Sequence, residues 1–152
     1  LNFNISCIGD KISKIIKNRA SGYHKKDSFI NNRHISFNIP YSSGSIMTAV
    51  NDLLKWQNAL NENILLNANT VKNAFNNYSL NNGENINYGY GWHLKEINGI
   101  ASREHGGHIF GFKSMAVYIP SEELYVVGIS NCDCNSPTKV TRKIAELFLK
   151  DK

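Results

Sequence analysis

Cysteine and proline are scarce, with 3 of each in 152 residues. Three thiols cannot build the set of bridges that staples small secreted scaffolds. So few prolines, with only 11 glycines, exclude collagen-like and proline-rich low-complexity chains. No apolar run approaches the ~20 residues needed to span a bilayer, so no membrane segment is expected. Neither sign of charge dominates: 17 Lys+Arg against 12 Asp+Glu leave +5. The densest basic stretch holds Lys11, Lys14, Lys17, Arg19, Lys25, Lys26 and Arg33, with no aromatic-rich nucleic-acid motif beside it. It reads as a solvated face, and no nucleic-acid partner is expected. The opening LNFNISCIGD is not a charged leader followed by an apolar stretch, so no signal peptide is read and the compartment is unknown. The first residue is Leu1 and not Met, which suggests part of something longer.

What is present suffices for one domain. Hydrophobic residues make up 41% of the chain and aromatics 11%. A chain of this length buries about two thirds of its unfolded surface. No repeat of fixed period is found.

Residues 1–45 read as a loop-rich lead-in, with only DKISKIIKNR locally helical and HISFNIPY weakly alternating before Pro40. Residues 46–80 read as helices. Thr48 is the expected N-cap and Asp52 sits in the first turn, where a helix favours negative charge. Val50, Leu53, Leu54, Trp56 and Leu60 fall on or beside one face. A shorter helix is expected after Asn69 or Thr70, with Val71, Ala74, Phe75 and Tyr78 inward. Residues 86–131 read as a strand meander. Asn98-Gly99 between YGYGWHLKEI and IASREH signals a hairpin, because both central residues of its turn need positive φ. FKSMAVYI alternates, with Phe112, Ser114, Ala116 and Tyr118 opposite Lys113, Met115, Val117 and Ile119. LYVVGISN is a continuous apolar run, as in a strand buried on both faces. Residues 136–150 read as a terminal helix, capped by Ser136, opened by Pro137 and striped by Val140, Ile144, Leu147 and Phe148. The predicted fold class is α/β (α+β): an antiparallel meander with flanking helices.

The segment Arg103-Glu104-His105-Gly106-Gly107-His108-Ile109-Phe110-Gly111-Phe112 is the candidate for chemistry. Glycines at a strand end let a ligand or another backbone come close. Unpaired N–H groups there can donate to a substrate oxygen. The same spacing also fits a β-bulge and turn with a packed histidine. Elsewhere the pattern points to little. Cys132 and Cys134 lack a second cysteine pair to complete a zinc site and read as free thiols in a loop. His105 and His108 have H-x-x-H spacing but not on a helix, so no metal and no cofactor is expected. His24, His34 and His93 read as ordinary, and Trp56 and Trp92 as packing residues.

NRASGY (18–23), SGSIMTAVNDLLKWQNAL (43–60), YGYGW (88–92), EHGGHIFGFKSMAVYIP (104–120) and YVVGISN (125–131), in that order, resemble the C-terminal half of the serine β-lactamase and penicillin-binding-protein-like family. The branch is that of class C β-lactamases, D-alanyl-D-alanine carboxypeptidases, D-aminopeptidases and related esterases. The resemblance implies three motifs: Ser-x-x-Lys carrying the acylated nucleophile, Tyr-x-Asn or Ser-x-Asn relaying protons, and Lys-Thr-Gly or His-x-Gly on a strand lining the cleft. His105-Gly106-Gly107 matches the third. By that resemblance His105 joins the hydrogen-bond network around the Tyr. The backbone N–H of His108 supplies half the oxyanion hole, and an acyl group lies along the strand past Gly106 and Gly107. Ser136-Pro137-Thr138-Lys139 matches the first motif only formally, since it follows the third. Ser36-Phe37-Asn38 and Ser79-Leu80-Asn81 match the second at a rate chance supplies.

The resemblance therefore implies the C-terminal fragment of a serine hydrolase that transfers acyl groups to water from D-amino-acid peptides, β-lactams or small esters. Without the nucleophile motif it is not expected to be competent alone. His-Gly-Gly offers no fixed cation or hydroxyl, which leans away from β-lactams. The alternative is a non-catalytic ligand- or peptide-binding module of the same fold. An apolar patch is expected where the missing layer sits, leading to self-association or pairing with a complementary N-terminal polypeptide. Relatives of this kind are commonly exported to the cell envelope.

Overall fold

The structure is a computed structural model that describes residues 6–8, 15–33 and 36–150. Its elements are β1 (Cys7–Ile8), β2 (Tyr23–Lys25), β3 (Phe29–Asn31), β4 (Ile46–Met47), α1 (Val50–Asn61), α2 (Ala68–Ala74), β5 (His93–Ile97), β6 (Ile100–Ile109), β7 (Phe112–Ile119), β8 (Leu124–Ser130) and α3 (Pro137–Lys150). The four strands β5-β6-β7-β8 form one antiparallel sheet in sequence order. The pairs β1-β4 and β2-β3 make two small sheets in the lead-in.

Turn chemistry sets the meander. Asn98 and Gly99 sit at φ 52 and 78, the two positive values that a tight hairpin twisting with its strands requires. Gly111, at φ 81, turns β6 into β7. A 3-10 turn over Pro120–Glu122 leads into β8. Alternation then divides β7 between two faces. Met115, Val117 and Ile119 are buried with Ile97 against Ala145 of α3, and Ile100, Leu124, Val126 and Leu149 close the margin. Burying each such aliphatic side chain contributes about 1.5–3 kcal/mol.

Helix α3 lies differently from its apolar pattern. Its buried residues are Pro137, Thr141 and Ala145. Val140, Ile144 and Leu147 are 61%, 50% and 50% exposed, and Phe148 is also exposed. The cause lies on β8: a Cβ on Gly128 would stand 2.7 Å from Thr141 Oγ1, so helix and sheet approach too closely for large side chains. Strand β8 ends the sheet, half-buried and not enclosed on both faces, with Ile129 exposed.

Helix α1 starts one residue late. Its N-cap is Ala49, because the Thr48 hydroxyl is engaged by the Ser6 hydroxyl at 2.6 Å. Asp52 is buried in the first turn and accepts from the Ser6 N–H and hydroxyl, each at 2.9 Å. Val50 and Leu54 are exposed, while Asp52, Gln57, Ala59 and Leu60 are buried. Trp56 stacks on Trp92 at 5.6 Å, and Phe75 meets Trp92 edge-on. Helix α2 begins at Ala68, earlier than expected, because Asn67 caps it through Thr70 N–H. In DKISKIIKNR, residues 10–14 lie outside the described residues, and residues 15–19 are turn and coil. The alternating HISFNIPY contains turns over residues 37–40, with His34 and Ile35 outside the described residues.

Candidate active site

Strand β6 is longer than its neighbour on one side. β5 stops pairing at His93 opposite Glu104, whereas β7 continues to Phe112 opposite Ile109. From His105 to Ile109 one edge of β6 therefore has no strand beside it among the described residues. The two-residue turn makes Ile109 and Phe112 a hydrogen-bonded pair, and bonding alternates from there. Gly107 and His105 thus bond to β7, while the N–H and C=O of Gly106 and His108 point out of the free edge. All four residues from His105 to His108 are exposed.

The glycines are tied to packing. A Cβ on Gly107 would lie 2.8 Å from Ser114 Oγ, and one on Gly106 would lie 3.3 Å from Met115 Sδ. Gly106, Gly107 and His108 line a cavity of about 320 Å³ with Lys113, Ser114 and the start of α3 (Asn135 to Thr138). His105 does not line it. Its ring stands 6.2 Å from that of His93, which meets Tyr88 edge-on at 4.7 Å. Partial burial, then the charges of Lys95 and His105, lower the His93 pKa, against a smaller opposing pull from Glu104. His93 is thus neutral at pH 7 and forms part of a ring row that its sequence position alone did not reveal.

Glu104 holds the strand from beneath. Its side chain is 0% exposed. Oε1 accepts from Arg142 Nη1 and, at 2.9 Å, from Ser102 Oγ, while Arg142 Nη2 donates to the Glu96 carbonyl at 2.9 Å. Among the described residues Glu104 Oε2 has no hydrogen-bond partner. On the other face Arg103 stacks under Phe75, its guanidinium 3.7 Å from the ring centroid, and burial lowers its pKa.

Asp133 is a second clamp, also invisible to pattern reading. Its carboxylate accepts from His24 Nδ1 at 2.7 Å, Asn32 Nδ2 at 2.6 Å and Gly111 N–H at 3.4 Å. These bonds, chiefly that from His24, hold it below the ordinary carboxylate range. The flanking Cys132 and Cys134 are disulfide-bonded and not free. They lie close enough because the loop folds back on itself.

The remaining formal motifs do not assemble a site. Ser136 and Lys139 are both exposed at the start of α3 and share no hydrogen bond. Ser79 Oγ donates to Asn85 in a surface loop at 2.7 Å. Among the described residues no group of three His, Cys, Asp or Glu side chains could hold a metal ion.

The sequence profile of the family described as Beta-lactamase matches residues 12–149. The chain belongs to the Beta-lactamase family. Solved structures share its fold at low identity. The octameric penicillin-binding protein homologue from Pyrococcus abyssi superposes with a TM-score of 0.80 at 19% identity, over 97% of this chain and 34% of that one. D-amino acid amidase from Ochrobactrum anthropi SV3, complexed with D-phenylalanine, gives 0.72 at 17%, over 97% and 49%. FmtA from Staphylococcus aureus gives 0.68 at 17%, over 88% and 36%. None of the curated proteins matches the chain significantly. This Beta-lactamase-family chain is thus a mixed helix and antiparallel-sheet part of a β-lactamase/transpeptidase-type domain. It spans about a third to a half of the length of these neighbours.

Proposed function

We propose that this chain forms one wall of a serine-hydrolase acyl-transfer site for D-amino-acid peptides, β-lactams or small esters, and that it does not turn over substrate alone. The observation that carries the reading is the free edge of β6 at His105–Ile109. An acyl group laid along it meets outward N–H groups on Gly106 and His108. The N–H of His108 would supply half an oxyanion hole, the role such donors play toward developing charge. Gly106 and Gly107 leave room for close approach, and His105 would enter the proton-relaying hydrogen-bond network. The D-phenylalanine held by the amidase neighbour favours D-amino-acid substrates within this range.

The attacking group is the missing part. The chain's one Ser-x-x-Lys is Ser136–Lys139, exposed at the start of α3. Loss of a serine nucleophile costs about 10⁶ in rate while binding persists. The reading therefore includes a complementary polypeptide carrying Ser-x-x-Lys and Tyr-x-Asn. The exposed Val140, Ile144 and Leu147 along α3 give it a surface to cover.

Labelling with a fluorescent penicillin or a fluorophosphonate tests this. The chain alone should not label, and mixing it with such a polypeptide should switch on labelling of that polypeptide's serine. Rapid stoichiometric labelling of Ser136, or labelling of the complement at a rate this chain does not change, would overturn the reading.

A further inference from the structure

Beyond the tip of β6 lies a second cavity, of about 270 Å³. Its lining includes Phe37, Ile109, Phe110, Phe112, Arg19 and Arg33. Phe37 is buried, whereas Phe110 is partly open to solvent. The guanidinium of Arg19 stands over the Phe37 ring at 5.4 Å, and that of Arg33 over the Phe110 ring at 4.8 Å. Stacking limits the freedom of both heads while leaving their N–H edges available. Among the described residues neither has a carboxylate partner. Asp133, which binds the Gly111 N–H at the neighbouring turn, is also engaged by His24 and Asn32.

The walls are held in place. A Cβ on Gly22 would lie 2.6 Å from Phe112 Cε2, and one on Gly111 would lie 2.7 Å from Gly22 Cα. The lead-in is thus seated against the β6–β7 turn, and Asp133 ties β2, the residue after β3 and that turn together. The volume is close to the lower end of ligand pockets, about 300 Å³. An apolar floor with two positioned guanidiniums and no internal acid is chemistry for an anion with a hydrocarbon body.

We propose that this cavity binds an apolar or aromatic monocarboxylate, its carboxylate held by Arg19 and Arg33 and its hydrocarbon laid against Phe37, Ile109, Phe110 and Phe112. Ile109 is also the last residue of the free edge. On the acyl-transfer reading, which this extension assumes, the cavity takes the carboxylate-bearing end of a substrate lying along β6.

The test is calorimetric titration of the 152-residue chain with 3-phenylpropionate, 3-phenylpropionamide and propionate. The aromatic acid should bind saturably, and the amide and the short acid at least about tenfold more weakly, each tenfold being about 1.4 kcal/mol. Arg19→Gln and Arg33→Gln should each weaken the acid about fivefold or more and leave the amide unchanged, with thermal melts showing that the variants fold. Equal affinity for acid and amide in the unmodified chain, or no saturable binding of the acid, overturns the proposal without any variant. These probes carry no acyl group for the β6 edge. Binding of the acid with failed labelling of a complement would retain this cavity and remove the acyl-transfer reading; labelling without acid binding would do the reverse.

Discussion

The two halves of β6 share one strand and have opposite surroundings. From Ile100 to Glu104 the strand is paired with β5, and at Arg103 and Glu104 with β7 as well, with Ser102 and Glu104 buried. From His105 to Ile109 it is paired on one side only, and the residues from His105 to His108 are exposed. The first half is anchored by hydrogen bonds and a charge pair to α3. The second presents backbone groups and space. An edge strand with open N–H and C=O groups is ordinarily an aggregation hazard. Here the open half continues directly from residues held by the Glu104–Arg142 pair.

The sharpest way to break this contrast is to cut the anchor. Arg142→Ala leaves the Glu104 carboxylate buried without its cation, and should destabilise the chain by about 3–5 kcal/mol. Against a typical total of 5–15 kcal/mol this brings it near unfolding. Urea denaturation should show the loss. Replacing both partners, Arg142→Met with Glu104→Leu, should recover most of it, since no charge is then left buried. A double variant no more stable than Arg142→Ala would mean that the pair is not what holds β6.

Glycines on the two halves give the next comparison. Gly99, in the turn that opens the anchored half, has φ 78, and Gly99→Ala should cost about 1–2 kcal/mol of backbone strain. Gly107 has no positive φ to protect, and an added methyl meets only the rotatable Ser114 hydroxyl. Gly107→Ala should cost under about 1 kcal/mol while narrowing the cavity beside it. Denaturation midpoints of the two variants, measured side by side, decide whether Gly107 serves folding or access.

How much of this could be read beforehand depended on how local the determinant is. Asn98-Gly99 was legible because its requirement for positive φ belongs to two adjacent residues. The strand over Phe112–Ile119 was legible because alternation is local as well. The ledge from His105 to His108 was legible through its glycines and the family resemblance. The facing of α3 was not: its apolar stripe is plain in the sequence, but whether that stripe turns inward depends on Gly128, in another element. Thr48 looks like a cap until Ser6 takes its hydroxyl. The two clamps, Glu104 with Arg142 and Asp133 with His24, join positions distant in sequence that no periodicity connects. The cavity at Arg19 and Arg33 was hidden likewise, since both residues read as part of a solvated basic face.

The Asp133 clamp makes the tip of the open half sensitive to pH. Its folded-state pKa lies below the ordinary value of about 3.9, so the native state binds that proton less readily than the unfolded chain. Its stabilisation is complete above about pH 4 and is lost as pH falls through the depressed folded value. Thermal melts of the native chain and of Asp133→Asn should therefore differ at neutral pH and converge in acid. A gap that persists unchanged below pH 3 would show that the clamp acts through shape and not charge.

The smallest expected effect is the most diagnostic of the comparison. His105 is exposed, and among the described residues its ring makes no hydrogen bond and meets only the ring of His93 at 6.2 Å. His105→Ala should change stability by no more than about 0.5 kcal/mol, as surface substitutions away from caps, cavities and buried networks do. Glu104, one residue away, should be among the most sensitive positions in the chain. If His105→Ala instead costs 2 kcal/mol or more in urea denaturation, the free half is part of the scaffold. The histidine would then be a packing residue, and the case for β6 as a substrate ledge would rest on the glycine backbone alone.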